Sequence, residues 1–94
     1  MVKSLDDVLG EGNPLSVFDF ITKQVANGNA TPEIKEVVSR VRGEVEAEQR
    51  KLEQYRMLRG YMTILKDKLS ANEDYVKILQ EAVEKMTDMR LFSE

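Results

Sequence analysis

Apolar residues return every three or four positions from Leu52 to Met89, and this repeat limits the possible folds more than any other feature of the chain. The spacing matches the period of an α-helix and therefore predicts one apolar stripe. Its members are Leu52, Tyr55, Leu58, Met62, Leu65, Leu69, Val76, Leu79, Val83 and Met86. A second row, Met57, Tyr61, Ile64, Tyr75, Ile78 and Ala82, makes the face wide. Because no exposed helix keeps so much apolar surface in water, we expect other helices to cover this face.

Capping residues mark three helix starts before the stripe, namely Ser4, Asn13 with Pro14, and Thr31 with Pro32. The second helix is predicted to run to about Ala26 and to end at residues 27–29, where glycine and asparagine tolerate left-handed geometry. After Thr31 no firm stop signal appears for almost forty residues. The sequence thus predicts an all-α protein with a short helical segment in residues 1–30. A long helix and a helical hairpin or coiled coil are predicted in residues 31–94.

The hairpin and the coiled coil differ at residues 70–73. Ser70 and Glu73 have the spacing of a capping box, which predicts that a new helix begins there with Ser70 as its cap. Folding back at this point would lay the basic segment 50–68 along the acidic segment 73–94, which favours the hairpin. In the alternative, one straight helix pairs with another chain, and Asn72 is the polar residue on the seam that fixes the register.

Composition excludes several classes of chemistry. Among 94 residues there is no cysteine and no histidine, so disulfides, thiolate metal sites and histidine-based acid–base catalysis are excluded. No serine has a histidine to activate it, and the glycines do not form a phosphate-binding loop. We therefore expect a protein that is not an enzyme and that has no cofactor, metal or catalytic residue.

The stripe predicts a contact surface for other chains. A chain of this size buries only roughly 60–65 % of its unfolded surface, and oligomerisation is a common remedy. We expect a homodimer or higher oligomer that also binds a protein partner, as an assembly factor, chaperone or regulator does. Small helical accessory proteins of phages and secretion systems are of this type. The predicted interface consists of Leu52, Tyr55, Leu58, Met62, Leu65, Leu69, Val76, Leu79, Val83 and Met86, with Leu91 and Phe92 near the C-terminus.

Nucleic-acid binding is the alternative function. Basic residues interleaved with tyrosines are typical of surfaces that contact phosphates and stack on bases, and the candidates are Arg50, Lys51, Arg56, Arg59, Lys66 and Lys68. A helix-turn-helix in residues 13–45 is a second candidate for nucleic-acid contact, as in a small packaging or transcription subunit. The formal net charge of −3 disfavours this class, so nucleic acid is the less expected partner.

No membrane association is expected. No run approaches 18 apolar residues, which a membrane-spanning helix requires. The first residues are acidic, whereas a secretory signal is basic and then apolar. The predicted compartment is the cytoplasm.

Overall fold

A computed structural model describes residues 3–93; Met1, Val2 and Glu94 lie outside the described residues. Its α-helices are α1 (Leu5–Gly10), α2 (Pro14–Ile21), α3 (Pro32–Ala47), α4 (Lys51–Lys68) and α5 (Glu73–Asp88). After α2 the chain continues as a π-helical turn (Thr22–Ala26) and a 3₁₀ turn (Asn27–Asn29). No β-strand occurs in the described residues, so the predicted all-α class is confirmed.

The three predicted helix starts are confirmed by hydrogen bonds. The Ser4 hydroxyl accepts from the backbone N–H of Asp7 at 3.2 Å, and the Asp7 carboxylate accepts from the backbone N–H of Ser4. Asn13 and Thr31 cap α2 and α3, and each is followed by a proline at the first helical position. Each cap supplies an acceptor to an N–H that has no partner inside its helix.

The predicted left-handed stop at residues 27–29 is wrong. Among the described residues, positive φ angles occur only at Gly12 and Arg90, so Gly28 keeps right-handed geometry. The helix instead widens into the π-helical turn and then tightens into the 3₁₀ turn. The Asn29 side-chain amide donates to the Val25 carbonyl at 2.8 Å, which gives a terminal carbonyl a partner.

The long helix predicted after Thr31 is also interrupted, at residues 48–50. Glu48 has extended backbone geometry, and its carboxylate accepts from the backbone N–H groups of Gln49 and Arg50, each at 3.1 Å. The hydrogen bond from Arg50, together with its positive charge, lowers the pKa of Glu48. The Gln54 side-chain amide donates to the Val45 carbonyl at 2.9 Å. The Glu48 and Gln54 side chains therefore pair backbone groups that the break leaves without helical partners, although no glycine or proline marks the break and no side chain caps the start of α4.

The chain turns at residues 69–72, so α4 and α5 are separate helices that pack against each other. Asn72 is the N-cap of α5, and its side-chain oxygen accepts from the backbone N–H groups of Asp74 and Tyr75 at 3.1 and 3.3 Å. The prediction that Ser70 caps this helix is wrong. Asn72 is exposed, and it therefore does not lie on a buried seam within the chain.

One hydrophobic core joins the helices, with α4 at its centre in contact with α2, α3 and α5. The Tyr61 ring of α4 stacks on the Phe18 ring of α2 with centroids 4.5 Å apart. Both of the segments 1–30 and 31–94 contribute to this core. Its members are Val8, Leu9, Val17, Phe18, Ile21, Val25, Ala26, Ile34, Val37, Val41, Val45, Tyr55, Leu58, Tyr61, Met62, Leu65, Leu79, Ala82, Met86 and Phe92.

The end of α5 turns back onto the core through a Schellman motif. The Leu91 N–H donates to the Met86 carbonyl at 3.1 Å, and the Arg90 N–H donates to the Thr87 carbonyl at 3.0 Å. Arg90 has a φ of 59°, at the position where glycine is usual. The motif carries a steric cost at Arg90 because its Cβ is crowded in left-handed geometry.

We predict that Arg90→Gly raises the free energy of unfolding by about 0.5–1 kcal/mol. Glycine removes the left-handed cost, and its greater freedom in the unfolded chain offsets part of the gain. Asp88→Gly is the control, because Asp88 is the last helical residue and glycine there should cost about 0.5–1 kcal/mol. Urea denaturation followed by circular dichroism measures both changes. A loss of stability in Arg90→Gly would contradict the strain at this position.

Candidate functional site

Most of the predicted interface is covered by the chain itself. Seven of its residues are buried in the core: Tyr55, Leu58, Met62, Leu65, Leu79, Met86 and Phe92. The other five are partly exposed: Leu52, Leu69, Val76, Val83 and Leu91. The wide apolar face is covered because α2 and α3 of the same chain pack on α4. Its width alone therefore does not require another subunit, and the oligomer stays a prediction.

The stripe reaches the surface in a groove between α4 and α5, which we call the α4–α5 groove. Its volume is about 350 Å³. Met62, Leu79 and the partly exposed Val83 form an apolar floor. The rim is exposed and polar, with Thr63 and Lys66 on α4 and Gln80 and Glu84 on α5. Thr63, Gln80 and Glu84 are absent from the predicted interface, and their one signal in the sequence is that they flank apolar stripe positions.

Leu91 and Phe92, predicted to dock on a partner, contact the core of their own chain. The Arg56 Nε donates to the Phe92 carbonyl at 3.1 Å, and the Arg59 guanidinium lies 5.0 Å from the centroid of the Phe92 ring. Two of the basic side chains that were candidates for nucleic-acid contact, Arg56 and Arg59, therefore bind the segment that follows α5.

The other candidate basic residues do not form one phosphate-binding surface. Lys68 pairs with Glu33 of α3 at 3.1 Å, and Arg50 pairs with Glu48 at 3.6 Å. Lys51 and Lys66 are exposed and have no carboxylate within 4.0 Å in the described residues. Half of the candidate set is thus paired with an acid, because Arg56 also contacts Glu53 at 2.8 Å.

The predicted helix-turn-helix of residues 13–45 corresponds to α2, the π and 3₁₀ turns and α3. The arginines of α3 are each paired with acids of the same chain. Arg40 contacts Glu36 and Glu44, while Arg42 contacts Asp19 at 2.9 Å and also Glu46. These contacts leave few positive charges of α3 available to a nucleic acid.

The expected match of basic α4 with acidic α5 is not made by direct ion pairs. Within residues 3–93, no ion pair shorter than 4.0 Å joins these two helices. Lys85 of α5 instead contacts Asp6 of α1 at 2.9 Å and Glu81 at 3.4 Å. The hydrogen bond to Asp6 raises the pKa of Lys85. The α4–α5 turn therefore depends on apolar packing and the Asn72 cap.

Two buried tyrosines differ in their hydroxyl partners. The Tyr61 hydroxyl lies 2.8 Å from Thr22 Oγ1, which itself donates to the Phe18 carbonyl at 2.9 Å, so Tyr61 donates to Thr22. The Tyr55 hydroxyl is buried and has no hydrogen-bond partner among the described residues. Burial raises the pKa of both hydroxyls. The negative charge of Asp19 adds to the rise in the pKa of Tyr61.

The described residues hold no group of three acidic side chains that could bind a metal ion. Within the same part of the chain, no helix has the length and apolar character needed to cross a membrane. Comparisons with protein-family models, curated proteins and solved structures found no match.

We predict different effects on stability for two tyrosine variants. Tyr61→Phe should lower the free energy of unfolding at pH 7 by about 1 kcal/mol because it removes the hydrogen bond to Thr22. Tyr55→Phe should leave it unchanged or raise it, since the removed hydroxyl has no partner to lose. Urea denaturation provides the comparison. If Tyr55→Phe is the more damaging change, the hydroxyl has a partner after all.

The same two variants test how the free energy of unfolding depends on pH. Because folding raises both tyrosine pKa values above the ordinary 10.0, the folded state holds these protons more tightly than the unfolded state. Their contribution to stability is complete below pH 10 and is lost as the pH rises through the folded-state values. Between pH 9 and about pH 11, each phenylalanine variant should therefore lose less stability than the wild type.

We predict negligible affinity for random-sequence DNA near 0.15 M salt, because most candidate cations contact groups of their own chain. Fluorescence anisotropy with labelled duplex and single-stranded DNA measures this. Micromolar binding that weakens steeply with salt would support the alternative function. In that case Lys66→Glu should reduce the salt dependence by about one phosphate contact.

Proposed function

We propose that this chain is a non-enzymatic protein–protein interaction module, an assembly factor, chaperone or regulator, and that the α4–α5 groove is its contact surface. The observation that carries the proposal is the composition of this groove. The partly exposed Val83 lies there above the buried Met62 and Leu79, and charged or polar side chains surround them. An apolar centre with a polar rim is the usual arrangement of a protein-binding surface.

The shape of the groove favours a helical partner. Two helices packed side by side present a furrow that receives the apolar face of a third helix. The charges of Lys66 and Glu84 on opposite walls would fix the direction of that helix. Since only a narrow apolar strip is exposed, the complex is expected to be reversible.

Nucleic-acid binding is the weaker candidate for a physical reason. Arg56 and Arg59 contact Phe92, and Arg40, Arg42 and Lys68 contact acids of the same chain. A phosphate would have to displace these partners, which lowers the gain from each contact.

The proposal is tested by capture of partners with a blocked groove. Thr63→Arg places a long side chain at the exposed rim, and Ala47→Arg adds the same charge at an exposed position on α3 that does not line this groove. Both variants should keep the wild-type helicity and urea midpoint. From a lysate of the source cells, wild type and Ala47→Arg should retain a common protein, and Thr63→Arg should retain at least about tenfold less.

Equal capture by Thr63→Arg would show that the contact surface lies elsewhere. If wild type retains no protein more strongly than an unrelated helical protein does, the interaction function itself is contradicted.

A further inference from the structure

The two walls of the α4–α5 groove carry opposite charges that the chain does not neutralise. Lys66 is on the α4 wall and Glu84 is on the α5 wall, and both are exposed. Neither has an oppositely charged group within 4.0 Å in residues 3–93. The groove thus presents a positive edge and a negative edge on either side of an apolar floor.

We propose that the occupant of this groove is a second copy of the same chain, which turns the proposed interaction function into self-assembly. A surface with one positive and one negative edge is complementary to itself under a two-fold rotation. In the dimer, Lys66 of one copy faces Glu84 of the other, and the pair occurs twice. The inference rests on the proposed function only in its use of the same surface.

The charges also select the symmetry axis. A two-fold axis parallel to the helices places α4 of one copy over α5 of the other, so each Lys66 meets a Glu84. An axis that crosses the helices places α4 over α4 and brings the two Lys66 side chains together. Because like charges at an interface disfavour association, the two-fold axis parallel to the helices is the favoured one.

The size of the face predicts a weak dimer. The 18 residues of α4 extend about 27 Å, and two helices side by side are about 20 Å wide. Such a face covers roughly 500 Å² on each copy, or about 1,000 Å² in total, which is the lower end for specific interfaces. Dimers should therefore form and dissociate readily in the micromolar range.

Charge reversal with mixing tests the inference. Sedimentation equilibrium of the full chain at micromolar concentrations should show a monomer–dimer equilibrium. Lys66→Glu alone and Glu84→Lys alone should each weaken self-association by about tenfold or more, because both symmetric pairs become repulsive. An equimolar mixture of the two variants should restore association, since Lys66→Glu on one copy then faces Glu84→Lys on the other. Lys77→Glu carries the same charge change as Lys66→Glu on an exposed residue that does not line the groove, and it should associate like wild type.

Each contrary result has a distinct meaning. A wild type that stays monomeric at every concentration overturns the second copy as occupant, while the capture experiment with Thr63→Arg still decides the interaction function. A dimer that Lys66→Glu and Glu84→Lys do not weaken lacks the proposed pairs between Lys66 and Glu84. If Lys66→Glu mixed with wild type associates more strongly than wild type alone, α4 lies over α4 and the proposed axis is wrong.

Discussion

Burial of α4 is the constraint on which the rest of the structure depends. Leu58, Met62 and Leu65 are at most 1 % exposed, although they lie on a helix that also carries five basic residues. Each such side chain contributes about 1.5–3 kcal/mol when it leaves water, so no arrangement that exposes this face would be stable. The chain covers it with α2, α3 and α5, and the stacked rings of Phe18 and Tyr61 fix where α2 crosses α4.

Covering α4 from within one chain requires sharp breaks, and polar side chains make them. Glu48 and Gln54 supply hydrogen bonds where α3 ends and α4 begins, while Asn72 supplies them where α5 begins. Each bond replaces one that the helix would have made by continuing. As a result, α2, α3 and α5 pack around α4 in one core, and the furrow between α4 and α5 remains open to solvent.

The distribution of charge follows from this packing and bears on function. Lys68 reaches Glu33 of α3, and Lys85 reaches Asp6 of α1, so exposed ion pairs connect neighbouring helices. Pairs of this kind add little stability, but they reduce the number of free cations available to a nucleic acid. Lys66 and Glu84 lie on opposite walls of the α4–α5 groove and make no such contact within residues 3–93, and the proposed self-association uses these two charges.

The sequence by itself determined the helical class, the caps at Ser4, Asn13 and Thr31, and the apolar face of α4, because these depend on local spacing and on hydrogen bonds between neighbouring residues. It did not determine the break at Glu48, since the bond from Gln54 to Val45 spans nine positions and no glycine or proline signals it. It also did not show what covers the apolar stripe. A period of three to four residues states that a helix face must be buried, but not whether a helix of the same chain or of another chain buries it. The tertiary structure decided that question, because the packing of α2 and α3 on α4 depends on distances that no local pattern records.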